Sequence, residues 1–162
     1  MKAGISTLQI LTLSNIKGVG PKAILKVGNY LFDCNRTIDD YSDFVTVLDK
    51  LKIKKKNEDG KGTSLITSYD LKEAESIALR ILSASEKEGI GVISYYEESF
   101  PDILKNTIDE DGKPAPPLLL FYKGDISIID IPCIAVIGSR EITPNGEKAG
   151  MYISREFAAE NG

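Results

Sequence analysis

The stretch that most constrains the fold is the apolar run over residues 131–137, IPCIAVI, which ends in Gly138-Ser139-Arg140. Continuous apolar runs of this kind are typical of strands that are covered on both faces of a parallel sheet. The run LLLFYKG, residues 118–124, has the same character. Residues 145–160 then show helical spacing, and the side chains expected to face inward are Ala149, Tyr152, Ile153 and Phe157. The order strand, turn, helix predicts the opening of a parallel α/β sheet.

The position of this unit in the sequence adds a further expectation. A parallel sheet needs a next strand, reached by a right-handed crossover. The sequence supplies the crossover helix and then stops at Gly162. We therefore expect a truncated chain, in which the first part of the sheet is present and the rest is missing.

The first half of the chain has the pattern of a helical domain. Ser6 is placed to cap a first helix, and Pro21 is placed in the first turn of a second. Residues 39–53 have the spacing of a third helix, followed by the polar stretch KKKNEDGKGTS, which we interpret as a linker. A long helix should begin near Ser68 and end at Gly89, a natural C-terminal cap.

These patterns predict an α+β or α/β protein of two domains. Residues 1–66 would form the helical domain, and residues 67–162 would form a connecting helix with the incomplete α/β domain.

The composition excludes several classes of site. The chain has no histidine, which removes the commonest general base and the commonest transition-metal ligand. Its two cysteines, Cys34 and Cys133, have no metal-ligand spacing, and we expect both to be reduced and buried in a cytoplasmic protein. No metal site, no cofactor and no membrane span is expected. The net charge of −4 argues against a broad nucleic-acid surface but leaves room for a local one.

The turn Gly138-Ser139-Arg140 has the features of a phosphate site. A glycine lets a ligand approach the backbone, the helix N-terminus favours an anion, and Arg140 can bind phosphate oxygens with its fork. Ser139 would add a hydroxyl donor. The alternative is a plain strand-to-helix turn in which Arg140 forms a surface ion pair with Glu141 or Glu147.

The order of motifs along the second half resembles the DNA-processing protein A family (DprA, also called Smf). The matching positions are Phe100, Pro101, Leu104, Pro117, Leu119, Gly124, Asp125, residues 135–140, Thr143 and Gly146. Asn145 departs from the family pattern, which usually has an aromatic residue there. The helical first half also resembles the small helical domain of the family.

This resemblance implies an extended Rossmann-like domain that binds single-stranded DNA without catalysis. It implies a role in natural transformation and homologous recombination, in which the protein protects incoming DNA and helps load the RecA recombinase. It also implies a homodimer for the full-length protein. The DNA-binding residues carried over by the resemblance are Gly138, Ser139, Arg140, Thr143 and Gly146.

A second candidate DNA contact is the Gly-Val-Gly turn, which resembles a helix-hairpin-helix or a sterile-alpha-motif-like module. Its candidate residues are Lys17, Gly18, Gly20 and Lys22. The alternatives are a compact corner that uses glycine only for its backbone angles, and a protein-docking module. The acidic residues that follow argue against a duplex-binding face; they are Asp33, Asp39, Asp40 and Asp43.

Three weaker signals have structural interpretations. The lysines of residues 50–56 are interpreted as a solvated linker, because Glu58 and Asp59 follow at once. The alternative for this cluster is a phosphate-steering patch. At least one of Tyr95 and Tyr96 should face the core. Glu97 and Glu98 are adjacent and form no catalytic pair.

A nucleotide phosphoribohydrolase is the enzymatic alternative, but the loop and glutamate that it needs would lie beyond Gly162.

Overall fold

A computed structural model describes residues 4–131 and 134–161. The chain divides into two compact units, Met1–Gly124 and Asp125–Gly162. The strand position predicted for Cys133 lies outside the described residues. Cys34 was expected to be buried and is exposed, because it stands at the C-terminal cap of a helix.

The predicted helices of the first unit are confirmed. They are α1 (Thr7–Ser14), α2 (Pro21–Asp33), α3 (Tyr41–Lys50) and α4 (Ser68–Lys87). Ser6 forms a capping box with Gln9 at the start of α1, as its type predicts. The Asp40 side chain caps α3 by accepting from the Asp43 amide at 2.8 Å.

One apolar core joins these helices. It contains Leu13 of α1, Val27 of α2, Leu48 of α3 and Leu71 of α4, each at most 1% exposed. Burial of each such side chain stabilises the fold by about 1.5–3 kcal/mol relative to exposure. Since α4 shares the core of α1–α3, the compact unit extends across the boundary predicted after residue 66; that boundary remains a prediction about domains.

The stretch interpreted as a linker is instead a short β-hairpin. Strand β1 (Lys54–Lys56) pairs antiparallel with β2 (Thr63–Leu65). The interpretation was wrong because Ile53 and Ile66, which flank the hairpin, are 8% and 3% exposed and anchor both of its ends in the core.

Helix α4 begins and ends as predicted. At its start the Thr67 side chain accepts a hydrogen bond from the Asp70 amide, and the Asp70 side chain accepts one from the Thr67 amide, which completes a capping box. Gly89 follows its C-terminal cap with a φ of +66°, a conformation that glycine adopts at low cost. Ile77, which the helical spacing of the sequence predicts on the buried face of α4, is 39% exposed.

The strands β3 (Ile90–Ser94) and β4 (Leu119–Lys123) pair antiparallel, with Val92 opposite Phe121. A short helix, α5 (Asp102–Lys105), lies between them in sequence. The parallel sheet expected here is therefore not found among the described residues. Phe121 is 46% exposed, since a two-stranded antiparallel sheet can leave one face to solvent.

The second unit contains a 3₁₀ helix (Ile126–Asp130) and α6 (Pro144–Asn161). Residues 134–137, predicted as part of a core strand, have no strand conformation, and Ile137 is 92% exposed. A strand is held by hydrogen bonds to a neighbour, and within the described ranges no strand pairs with this segment. The expected inward face of α6 also differs, because Tyr152 and Ile153 are 65% and 52% exposed.

Candidate nucleic-acid interface

The Gly-Ser-Arg segment leads to the start of α6 without helix or strand structure, and it is exposed. Gly138, Ser139 and Arg140 are all exposed. A Cβ built on Gly138 would meet no atom within 4 Å, so the backbone there is open to a ligand. The packing among the described residues would therefore also accept a larger side chain at position 138. The glycine instead leaves the backbone accessible to a ligand.

Thr143 holds the first turn of α6. Its hydroxyl oxygen accepts from the Gly146 amide at 3.1 Å, and its carbonyl accepts from the Glu147 amide at 2.9 Å. Pro144 occupies the first helical position, where its missing N–H costs nothing. Of the residues carried over by the family resemblance, Thr143 and Gly146 are thus engaged with each other as a helix cap.

Arg140 has no ion pair with any residue in the described part of the chain, so the alternative pairing with Glu141 or Glu147 is not found there. The Ser139 hydroxyl donates to the Glu141 carbonyl at 2.5 Å. That bond uses the proton that Ser139 was expected to offer a phosphate. In this conformation the donors available to an anion are the Arg140 guanidinium and the backbone amides of the segment.

The Gly-Val-Gly turn connects α1 to α2 and is shaped by its glycines. Gly18 has a φ of +91°, which strongly favours glycine. Val19 is 8% exposed and fixes the turn to the core. Gly20 is the N-terminal cap of α2 and provides no side-chain bond to the first amides of that helix. Lys22, in the first turn of α2, is exposed.

Strand β1 lies directly beside this turn. The Lys56 amide donates to the Lys17 carbonyl at 2.8 Å, and a Cβ on Gly18 would lie 2.6 Å from Lys56 Cγ. The Lys17 ammonium donates to the Glu58 carbonyl at 3.2 Å. Sequence reasoning interpreted the lysines of β1 as part of a solvated linker and did not place them beside this turn; the run of three lysines was the available signal.

Tyr95 and Tyr96 have structural positions rather than an exposed stacking surface. Tyr96 donates to Asn29 Oδ1 at 3.0 Å, and its hydroxyl lies 3.3 Å from the Leu25 carbonyl oxygen. Burial of the phenol, with a smaller effect of Tyr95, raises the pKa of Tyr96 to about 12. Tyr95 stacks edge-on against Tyr96 and against Phe100, which is 1% exposed. Both tyrosines contact the core, as expected for at least one of them.

Glu97 is also committed to the fold. Its carboxylate accepts from the Ser94 amide and the Ser94 hydroxyl, each at 3.0 Å, and from the Thr7 hydroxyl. These residues line an open pocket of about 990 Å³ whose other walls include Ile5 and Ile38. A carboxylate that already accepts three hydrogen bonds is poorly placed to act as a general base in that pocket.

The described residues contain neither a metal-binding cluster nor a membrane-spanning helix. No group of three or more potential ligand side chains that could hold a metal ion occurs within residues 4–131 and 134–161. None of the helices in those ranges combines the length and the apolar character that a membrane-spanning segment needs.

Comparison with known proteins gave a family match for part of the chain. No curated protein and no solved structure is significantly similar to this chain. Residues 91–162, which include β4, the Gly-Ser-Arg segment and α6, match the family described as DNA recombination-mediator protein A. The resemblance to the DNA-processing protein A family is thereby confirmed for this part of the chain, and it indicates a role in DNA processing.

Proposed function

We propose that this protein binds single-stranded DNA through the Gly-Ser-Arg segment, without catalysing a reaction on it. The observation that carries the proposal is the exposed Arg140, which has no ion pair with any described residue and lies inside the region matched to a DNA recombination mediator. An arginine fork binds two phosphate oxygens at once, and the open backbone at Gly138 lets the strand come close. The amides around Ser139 add neutral donors.

The family match supports the biological role that we propose. The protein would act in natural transformation and homologous recombination, protecting incoming DNA and helping load the RecA recombinase in the cytoplasm. The full-length protein would act as a homodimer. Thr143 and Gly146 would contribute by holding the start of α6, whose N-terminus faces the site with a favourable dipole for an anion.

The test is fluorescence anisotropy of labelled oligo-dT, titrated with the protein over a series of salt concentrations. For single strands the slope of log K against log salt is about −0.7 for each phosphate neutralised. Arg140→Ala should weaken binding and reduce the slope by about 0.7. Arg155→Ala is the matched control, because Arg155 is an exposed arginine of α6 away from the segment.

Oligo-dT binding that is absent in the folded wild type, or equally weak in both variants, would contradict the proposal. The enzymatic alternative is tested on the same preparation by incubating nucleoside monophosphates and measuring base release. The finer role is tested by the rate of RecA assembly on oligo-dT with and without the protein. An unchanged rate would remove RecA loading from the proposal.

A further inference from the structure

The β-hairpin brings a second set of cations to the Gly-Val-Gly turn. The Lys56 amide bonds to the Lys17 carbonyl, and the Gly18 backbone packs on the Lys56 side chain. The turn and the strand are therefore one rigid piece of surface. We call the side chains of Lys17, Lys22, Lys54 and Lys56 the lysine face.

The three lysines of β1 alternate between the two faces of the strand. Lys54 and Lys56 are exposed, whereas Lys55 points the other way and forms an ion pair with Asp70 at 2.5 Å. Neither Lys54 nor Lys56 has an ion pair within the described ranges. The pair Lys55–Asp70 thus fixes the strand to α4 and leaves its two outer lysines without a carboxylate.

Two of the four acidic residues that argue against a DNA face in the sequence, Asp33 and Asp43, are distant from the turn or paired with a cation. Asp33 ends α2, about 18 Å along the helix from Pro21 at 1.5 Å per residue. Asp43 is paired with Arg36. At physiological salt the screening length is about 8 Å, so an acid at that far end of α2 hardly weakens the potential at the turn.

Two acids remain near the lysine face, at the tip of the β-hairpin. Asp59 uses its carboxylate to accept from the Lys61 amide at 2.8 Å. Glu58 binds Lys17 through its carbonyl rather than its carboxylate. Residues 17–22 and 54–65 together contain six lysines and two acids, so the local charge balance is positive.

We propose that the lysine face binds the phosphate backbone of duplex DNA, which extends the proposed DNA-binding function to a second site. Residues 17–22 and 52–65 contain no aromatic side chain, so bases of a single strand would find nothing there to stack on. Ammonium groups and backbone amides suit phosphates without reading sequence. A duplex offers such phosphates at about one charge per 1.7 Å.

The experiment uses the whole protein and a fluorescent DNA hairpin that is fully duplex, titrated by anisotropy over a salt series. The test variant is Lys54→Gln with Lys56→Gln, and the control is Lys87→Gln with Lys123→Gln, an exposed pair with the same change of charge. Each duplex phosphate contact contributes about 0.9 to the slope of log K against log salt. The test variant should therefore lose about 1.8 of that slope, and the control should match the wild type.

A second variant, Lys22→Gln, should lose about 0.9 of the slope without touching the β-hairpin. Arg140→Ala separates the two sites: it should weaken oligo-dT binding and leave hairpin-duplex binding unchanged. Equal slopes in the test and control pairs would overturn the proposal, and so would a wild type that does not bind the duplex. Vesicles of phosphatidylserine and phosphatidylcholine are the second probe. If Lys54 and Lys56 were needed for binding to the vesicles but not to the duplex, the lysine face would be a membrane-binding surface, and the proposal would be overturned as well.

Discussion

At the scale of single residues, Gly28 and Tyr96 make the contact that best shows what the sequence conceals. A Cβ built on Gly28 would lie 2.2 Å from the Tyr96 hydroxyl oxygen and 2.3 Å from its Cζ. A core position for one of the tyrosines follows from strand alternation, but the partner does not. Gly28 lies inside a helix, where no turn requires it, and its complement stands 68 positions later. Local patterns contain no signal for such a fit.

Gly28→Ala tests this contact against helix propensity. Alanine should gain up to about 1 kcal/mol as a better helix former. The clash with the Tyr96 ring should cost about 1–3 kcal/mol, because moving the ring would break its hydrogen bond to Asn29. We expect a net fall in the free energy of unfolding, measured with urea.

The control for this substitution is a double-mutant cycle. In a Tyr96→Ala background the clash is gone, and Gly28→Ala should then stabilise the protein by its propensity gain of up to about 1 kcal/mol. Gly28→Ala that is stabilising in both backgrounds would contradict the packing described here.

At the scale of elements, the helices were predictable and the β-hairpin was not. Ser6, Pro21 and Gly89 each mark a helix end through chemistry that acts within one turn of the chain. Three consecutive lysines have poor strand propensity, and β1 is held by pairing with β2 and by the carbonyl of Lys17. Pairing between distant segments decides such a strand, so the sequence pattern alone assigned it to a linker.

The start of α4 predicts a pH dependence of stability. Partial burial alone would raise the pKa of Asp70, but hydrogen bonds from Lys55 and Thr67 outweigh it and the pKa is lowered. A carboxyl whose folded pKa is below its unfolded value stabilises the protein above that unfolded value, near 3.8. This contribution is lost as the pH falls through the lower, folded pKa.

Asp70→Asn should therefore cost about 1 kcal/mol at pH 7 through the weakened cap. It should also flatten the fall in unfolding free energy below pH 4, measured by urea denaturation from pH 2.5 to 7. Asp102→Asn is the control, because the Asp102 side chain is 89% exposed in its ion pair with Lys105. A wild type and an Asp70→Asn variant with parallel pH profiles would show that Asp70 has no lowered pKa.

At the scale of the whole molecule, the family match and the compact units do not coincide. The match begins at Gly91, inside β3 of the first unit, and continues through the second unit. The sequence motifs identified this region because they are ordered along the chain. The parallel sheet expected with them depends on strand partners, and the described strands pair antiparallel.

Hydrogen exchange should distinguish the two units. Residues 134–139 make no backbone hydrogen bond to another described residue, so their amides should exchange at nearly the rate of an unstructured peptide. The amides of α1 and the middle of α4 should be the slowest, because those helices contain fully buried residues such as Leu13 and Ala78. Mass spectrometry of peptic peptides at pH 7 would measure both. Slow exchange over residues 134–139 would show that this segment has strand partners after all.

The contact between Tyr96 and Gly28 limits which chimaeras of this protein can fold. The tyrosine stands inside the family-matched region, and the glycine stands in the helical half that precedes it. Exchange of the helical half for that of another protein would put an arbitrary side chain opposite the phenol ring, and exchange of the other half would replace the ring itself. The two halves are therefore expected to recombine well only when they come from the same protein. A chimaera joined near residue 66 needs a glycine at the position of Gly28 so that its helix can pack against Tyr96.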